Sequence, residues 1–121
     1  MSFFHKKTVC PHTNPDGTID LDESCFDEFV RNNPKVVVMF HRSTCSHSVN
    51  MYPIFSDLSK EMTELKFCKV STPTNMNLVH KYDIKGTPTF MMIMNGESAK
   101  SMTGEITKEL LKAEIERLLS N

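Results

Sequence analysis

Apolar residues in this chain fall into short runs that predict strands and into helical spacings that predict helices. Three of the runs are rich in β-branched and aromatic residues and are bounded by turn-forming or charged residues. The first run has no polar alternation, which is typical of a strand buried on both faces in the middle of a sheet. The three predicted core strands are KVVVMF at 35–40, ELKFCKV at 64–70 and GTPTFMMIM at 86–94.

Four other segments carry apolar residues at the spacing of a helix. Pro53 lies inside the second of them, where it removes a backbone N–H and is expected to kink the helix. Thr74 is the predicted cap of the third helix, and Thr107 is the predicted cap of the last. The four predicted helical segments are residues 22–33, 48–62, 72–84 and 106–121.

Turn signals between these segments give the order of the elements. NPDG at 14–17 ends an N-terminal extension, residues 1–17, which shows little periodicity. TIDL at 18–21 is a short predicted strand, and NG at 95–96 is a strong signal for a two-residue hairpin. The predicted order is β-α-β-α-β-α-β-β-α, with right-handed crossovers between the early strands. We therefore predict one α/β domain over residues 18–121, a central mixed sheet flanked by helices.

Composition and charge narrow the function classes. The 121 residues carry a net charge of −1 and no basic run longer than Lys6-Lys7, so binding to nucleic acid or an anionic membrane is not predicted. No stretch of about 18 apolar residues predicts a transmembrane helix, and the N-terminus lacks the apolar segment of a signal peptide. We expect a cytoplasmic protein.

The cysteines have irregular spacings and form no C-x-x-C motif; they are Cys10, Cys25, Cys45 and Cys68. In a cytoplasmic protein we expect them to be mostly reduced thiols. Cys45 differs from the others because it follows a buried strand and opens a helix, a position that favours a reactive thiolate. Ser48 stands three residues on, where a second thiol would complete a redox pair.

The motifs around Cys45 resemble those of the thioredoxin family over roughly residues 18–120. VVVMF at 36–40 resembles the family's central strand, and CSHS at 45–48 stands where the family carries C-x-x-C. KYDIKGTPTF at 81–90 is similar to the family's most recognisable stretch, which ends in a cis-proline facing the reactive cysteine. Pro53 matches the proline of the family's active-site helix. The resemblance implies a thioredoxin fold.

The same resemblance implies a substrate groove and a catalytic defect. Thr87-Pro88 should be cis and should line, with the Cys45 loop, a groove for a substrate strand. Ser48 replaces the second thiol, and Met39 stands where thioredoxins bury an aspartate that helps to deprotonate that thiol. Lys69 matches the lysine that accompanies this aspartate, which is absent here. We interpret the site as a degenerate, monothiol C-x-x-S site.

Three residues are candidates for the chemistry. The helix N-terminus should lower the pKa of Cys45, a protonated His47 would add a nearby positive charge, and the Ser48 hydroxyl can donate to the sulfur. Arg42 resembles the basic residue that glutaredoxins place before T-C to hold a glutathione carboxylate. We therefore interpret Cys45, His47 and Ser48 as catalytic, with Arg42, Thr87 and Pro88 binding substrate.

The leading hypothesis is weak thiol–disulfide exchange, or capture of protein or glutathione as a mixed disulfide on Cys45. Its partners are protein thiols or disulfides, and no cofactor is predicted beyond glutathione as a candidate reductant. Cys10, in the extension, is a remote candidate for a resolving cysteine, whereas Cys25 and Cys68 are expected to be structural. The alternative is a redox-inactive module that binds proteins through the same groove.

Metal binding is not predicted. His5, Cys10 and His12 have ligand chemistry, but C-x-H alone is a weak zinc signal. Monothiol glutaredoxins hold iron–sulfur clusters with a C-x-x-S loop, but their loop has Gly-Phe where this chain has Ser46-His47.

Overall fold

The computed structural model describes residues 9–120. It contains six strands, four α-helices and one short 3₁₀-helix. In chain order the elements are β1 (His12–Thr13), β2 (Ile19–Asp20), α1 (Phe26–Asn32), β3 (Lys35–His41), α2 (Ser46–Glu61), β4 (Lys66–Ser71), the 3₁₀-helix (Thr72–Thr74), α3 (Met76–Lys81), β5 (Thr89–Met94), β6 (Glu97–Thr103) and α4 (Lys108–Leu119).

The six strands form one mixed sheet in the order β1-β2-β4-β3-β5-β6. Strands β2, β4 and β3 are parallel, whereas β5 and β6 join antiparallel beside β3. The turn between β5 and β6 places Asn95 at φ 53° and Gly96 at φ 82°, the left-handed conformations that a two-residue hairpin needs. The mixed sheet and the predicted hairpin are confirmed.

The central strand β3 contributes to a core on each face of the sheet. Val36, Val38 and Phe40 face a cluster that includes Phe26 and Val30 of α1. Val37 and Met39 face the opposite cluster, which is completed by Met51, Phe55 and Leu58 of α2 and by Leu111 and Ile115 of α4. Because both faces of the sheet are covered at β3, the side chains that point to either face must be apolar. This accounts for the unbroken run VVVMF.

Strand β1 lies within the predicted N-terminal extension and adds an antiparallel edge to the sheet. Asn14 and Thr18 close the turn that joins it to β2, with the Asn14 N–H donating to the Thr18 carbonyl at 2.8 Å. His12 and Thr13 are exposed, so no apolar pattern marked this strand. His5, considered above as a metal ligand, lies outside the described residues.

The helix caps follow the prediction at one of two positions. Thr107 caps α4 through its side chain, which accepts a hydrogen bond from the Leu110 N–H. The prediction of Thr74 as the cap of α3 is wrong, because Thr74 ends the 3₁₀-helix and Asn75 precedes α3. Pro53 lies within the unbroken span of α2, and the kink stays a prediction. No helix within residues 9–120 has the length and apolar character needed to span a bilayer.

Candidate functional site

The candidate site begins where β3 ends. A tight turn follows His41, in which the Cys45 N–H donates to the Arg42 carbonyl at 2.9 Å. Helix α2 then starts at Ser46, two residues before the predicted start, and the Cys45 carbonyl accepts its first bond from the Val49 N–H at 3.1 Å. Cys45 therefore occupies the position that precedes the first turn of a 16-residue helix.

The Cys45 sulfur faces the start of β5 and is partly exposed. Its Sγ lies 3.5 Å from the Thr87 carbonyl oxygen, 42 residues away in the chain. The Thr87–Pro88 peptide bond is cis, and Pro88 is buried while Thr87 is only half-buried. The structure thus brings together three of the predicted site residues, Cys45, Thr87 and Pro88.

Hydrogen-bond donors around the sulfur lower the pKa of Cys45 to about 7. The largest contribution comes from the Thr87 side chain and the next from the backbone N–H of Ser48, with smaller ones from the Ser48 hydroxyl and the His47 N–H. The Thr87 carbonyl acts in the opposite sense, because it accepts from the protonated thiol. The donors outweigh it, and a large fraction of Cys45 is thiolate at neutral pH.

Ser48 is fully buried in the first turn of α2. Its Oγ accepts a hydrogen bond from the Arg42 backbone N–H at 3.2 Å, which ties the helix to the preceding turn. A hydroxyl at this position can donate to the Cys45 thiolate, but it cannot form a disulfide. Ser48 therefore supports the sulfur without being able to resolve a mixed disulfide.

His47 is exposed and bonds to a residue that the sequence did not single out. Its Nδ1 lies 2.5 Å from Oε2 of Glu105, and the same oxygen accepts from the Asn50 side chain at 3.2 Å. The Glu105 carboxylate raises the pKa of His47, and His47 in turn lowers the pKa of Glu105. The imidazole is therefore held by a carboxylate, and the His47 group that bonds to the sulfur is its backbone N–H.

No sequence signal could have identified Glu105. It lies 58 residues from His47, in the loop between β6 and α4, and it belongs to no motif. Only the packing of α4 beside α2 brings the two side chains together.

Arg42 lies on the exposed side of the turn. Its Nε donates to the Thr44 hydroxyl at 3.1 Å, which orients the guanidinium along the loop. Within residues 9–120 its terminal nitrogens make no hydrogen bond or ion pair. The terminal nitrogens of the guanidinium therefore face solvent.

Behind the site, the lysine has a different acidic partner from the one the resemblance implies. Met39 is fully buried and lies directly across from Lys69 in the register of β3 and β4. The other neighbour of Lys69 is Asp20 of β2, whose carboxylate lies 3.9 Å from the Lys69 Nζ. The acid therefore sits one strand farther from Ser48 than a residue at position 39 would.

His41, the last residue of β3, has a hydrogen-bonding partner. Its Nδ1 lies 2.9 Å from the Tyr52 hydroxyl, and burial lowers its pKa. It has no contact with Cys45 in the described part of the chain.

The cysteines outside the loop divide into a bonded pair and a buried thiol. Cys10 and Cys25 form a disulfide with their Cα atoms 5.9 Å apart, whereas Cys45 and Cys68 are free. The expectation that Cys10 and Cys25 are reduced is thus wrong for this structure, and Cys10 is not poised to resolve Cys45. The reason is the edge strand: pairing of β1 with β2 brings Cys10 to Asp22, whose N–H donates to its Sγ at 3.3 Å. Cys68 is buried, as predicted, and burial raises its pKa.

Comparisons with known proteins agree with this geometry. The sequence model of the family described as Thioredoxin matches residues 17–117. Thioredoxin-1 of Caenorhabditis elegans is 26% identical over 79% of this chain and 85% of that protein. Thioredoxin M5, chloroplastic, of Oryza sativa subsp. japonica is 31% identical over 88% of this chain and 63% of that protein. Protein disulfide-isomerase 1 of Caenorhabditis elegans is 28% identical over 75% of this chain, which is 20% of its own length.

Solved structures give the same result for the fold. A mutant thioredoxin from Halobacterium salinarum NRC-1 superimposes with a TM-score of 0.78 at 22% identity, covering 88% of this chain and 94% of that one. Plasmodium falciparum thioredoxin superimposes with a TM-score of 0.75 at 28% identity, covering 79% and 93%. The predicted thioredoxin fold is confirmed.

Proposed function

Because the chain belongs to the thioredoxin family, we propose that it exchanges thiols and disulfides through Cys45 alone, capturing protein or glutathione as a mixed disulfide. The single observation that carries the proposal is the Cys45 sulfur: free, partly exposed, and surrounded by donors that hold its pKa near 7. A thiolate is the attacking species in exchange, and a pKa near ambient pH is the best compromise between thiolate fraction and nucleophilicity.

The proposed reaction stops after one exchange. The Cys45 thiolate attacks one sulfur of a partner disulfide, the new S–S bond forms, and the other partner sulfur leaves as a thiolate that takes up a proton. Ser48 has no sulfur with which to break the new bond. Release then requires a second, external thiol such as glutathione, which leaves as the mixed disulfide with the captured group.

Thr87 and Arg42 are the proposed contacts for the captured group. The Thr87 carbonyl lies 3.5 Å from the Cys45 sulfur, so a peptide that hydrogen-bonds to the Thr87 backbone would pass beside the thiolate. The exposed Arg42 guanidinium would bind a carboxylate of the captured group. Arginine commonly holds a carboxylate through two parallel N–H···O bonds. His47 is held by Glu105 beside this surface, and its backbone N–H contributes to stabilising the thiolate.

The test is mixed-disulfide formation with glutathione disulfide, followed by mass spectrometry. We expect a glutathione adduct on Cys45 and none on Cys68, with slower formation in Arg42→Ala. Arg31→Ala, an exposed arginine on α1, is the matched control and should leave the rate unchanged. An adduct that forms no faster than on a free cysteine, at every pH, would contradict the proposal.

A second variant tests whether Ser48 limits the reaction. The wild-type protein should not reduce insulin with dithiothreitol at the rate of a dithiol thioredoxin. Ser48→Cys should lose two hydrogens on mild oxidation, because residues three apart in the first helical turn bring their sulfurs within bonding distance. Failure to close that bridge would mean that the Cys45 loop does not have the geometry argued above.

The second candidate function is a redox-inactive binding module. It is favoured by Met39, a buried apolar side chain at the position where the resemblance implies an acid, and by the pairing of Lys69 with Asp20 instead. Such a module requires only the surface at Thr87 and Pro88. A Cys45 that labels like free cysteine and resists glutathione disulfide would select this function.

A further inference from the structure

A second sulfur-containing cluster lies at the edge of the sheet, formed by Cys10, Asp22 and Cys25. We call it the Cys10–Cys25 corner. One ligand-type atom from each of the three residues lies within 4.8 Å of the other two. Cys10 comes from the segment before β1, whereas Asp22 and Cys25 belong to the turn between β2 and α1. The proposed exchange at Cys45 uses none of these residues.

We propose that the Cys10–Cys25 corner, once its disulfide is reduced, binds a thiophilic divalent cation of the Zn²⁺ type through the two sulfurs and the Asp22 carboxylate. Thiolate sulfur and carboxylate oxygen are common zinc ligands. Three protein ligands leave one tetrahedral position for water, as in open zinc sites.

The spacing of the backbone suits a metal as well as a disulfide. The Cα atoms of the two cysteines are 5.9 Å apart. Two sulfurs on one tetrahedral zinc, each at about 2.3 Å from it, are separated by about 3.8 Å. Side-chain rotation alone can supply that separation once the S–S bond is broken, so the backbone of the corner does not need to move.

Hydrogen bonds in the turn that carries Asp22 fix the groups that would act as ligands, as the outer contacts of metal sites do. The Asp22 N–H donates to Cys10 Sγ at 3.3 Å, a bond that stabilises a thiolate. The Ser24 N–H and hydroxyl donate to Asp22 Oδ1 at 2.7 and 2.5 Å, which fixes the carboxylate. The N–H of Cys25 donates to the Asp22 carbonyl at 3.2 Å. Such outer contacts orient the ligands of a metal site before the ion arrives.

An open groove lies on the Asp22 side of the corner. It has a volume of about 820 Å³, and Asp22, Ser24 and Val9 form part of its wall. Val9, next to Cys10 in the chain, is 66% exposed. Asp22 therefore borders both the sulfurs and the solvent.

The disulfide form and the zinc-bound form of the corner are linked by reduction of the Cys10–Cys25 bond. A dithiol reductant transfers two electrons and two protons to the Cys10–Cys25 disulfide, leaving two thiols and the oxidised reductant. Zinc then displaces one proton from each thiol. In the reverse direction a disulfide oxidant such as glutathione disulfide takes two electrons from the two thiolates and, with two protons, becomes two thiols; the Cys10–Cys25 bond re-forms and the ion is released. Occupancy of the corner would therefore depend on the redox state.

The experiment is a zinc titration of the full chain, reduced and oxidised, against a chromophoric chelator. All proteins carry Cys45→Ser, which removes the thiol of the other site. We expect the reduced protein to bind one Zn²⁺ per chain and the oxidised protein to bind none. Cys10→Ser and Cys25→Ser should each lose the tight binding, and Asp22→Asn should weaken it. Glu23→Gln, a neighbouring acid outside the cluster, is the matched control and should bind as the parent does.

A spectroscopic readout keeps the test independent of how well the variants fold. Co²⁺ added to the reduced parent should give a thiolate-to-metal charge-transfer band that Zn²⁺ removes. The proposal is overturned if the reduced parent gives no such band, if it binds zinc no more tightly than the oxidised form, or if Cys10→Ser binds like the parent. An unchanged affinity in Asp22→Asn would overturn the three-ligand site.

Discussion

The Cys45 loop and the Cys10–Cys25 corner place sulfur in contrasting surroundings. Cys45 stands alone at the start of a 16-residue helix, with donors that favour its thiolate and a serine in place of a partner thiol. Cys10 and Cys25 are joined across 15 residues and fasten an edge strand to the first helix. One sulfur is left free to react with an external group, whereas the other two react with each other.

The contrast teaches that the fold, not the cysteine spacing, assigns roles to the thiols. Cys25 and Cys45 both lie immediately before a helix, so local position does not separate them. What differs is the group that the strand pairing places beside each cysteine sulfur. Pairing of β1 with β2 brings a second sulfur to Cys25, whereas the start of β5 brings Thr87 to Cys45.

The largest expected effect concerns stability. Replacing Cys10 and Cys25 together by serine removes a link that closes a loop of 15 residues. Such a loop is worth about 3 kcal/mol of unfolding free energy in the chain-entropy account. Urea unfolding, without reductant and with a chelator, should show that loss, whereas Cys45→Ser should unfold near the wild-type midpoint. Equal midpoints for the double variant and the wild type would contradict the structural role of the bridge.

The next largest effect is the difference in labelling rate between the two free thiols, Cys45 and Cys68. Cys45, with a pKa of about 7, is half ionised at neutral pH, whereas a free cysteine with a pKa of about 8.5 is only a few per cent ionised. Iodoacetamide at pH 7 should therefore label Cys45 severalfold faster than a free cysteine, because the larger thiolate fraction outweighs the lower nucleophilicity of the less basic thiolate. Cys68 should label only in urea, because it is buried and burial raises its pKa. Rapid labelling of Cys68 in the native protein would contradict the packing of β4.

Thr87→Val tests the source of the lowered Cys45 pKa. Valine keeps the β-branched shape but removes the largest of the contributions that lower the pKa of the sulfur. A hydrogen bond lost from one ionisation state shifts a pKa by up to about one unit, so the labelling midpoint should rise from about 7 toward that of free cysteine. Thr44→Val, in the same loop, is the control and should leave the midpoint in place. An unchanged midpoint in Thr87→Val would assign the shift to the Ser48 hydroxyl and to the Ser48 and His47 backbone N–H groups.

The sequence predicted the parts of the molecule that local patterns encode. The run VVVMF, the NG hairpin and Thr107 each carry their structural reason within a few residues, and all three are confirmed. Cys45 was singled out in the same way, and its role stays a prediction. Strand β1 was not predicted, because its two residues are exposed and show no apolar pattern.

The contacts that the sequence could not predict join distant segments. Glu105 lies 58 residues from His47, and Asp20 reaches Lys69 only through the pairing of β2 with β4. The Cys10–Cys25 disulfide also depends on a strand pair that no pattern marked. The residue types in the loop indicated the chemistry of Cys45. The groups that surround its sulfur could be identified only from the order of the strands in the sheet.

The smallest expected effect comes from Glu105→Gln, which leaves His47 without a carboxylate. The Glu105 carboxylate raises the pKa of His47 above its ordinary value of 6.5, so the imidazole's midpoint in an NMR titration should fall toward that value. Glu97→Gln, at an exposed glutamate of β6, should not move it. A His47 midpoint that stays in place in Glu105→Gln would contradict the ion pair.

The same pair has a definite signature in stability against pH. Because the pKa of His47 is raised on folding, its contribution is fully present below 6.5 and is lost as pH rises through the folded value. The pKa of Glu105 is lowered from 4.5, so its contribution is present above 4.5 and is lost as pH falls through the folded value. The difference in unfolding free energy between wild type and Glu105→Gln should therefore be largest between about pH 4.5 and 6.5 and should fade at alkaline pH. Both groups are exposed, so salt should reduce the difference throughout that window. A difference that keeps growing as pH rises above about 6.5 would mean that Glu105 acts on the fold through a contact other than His47.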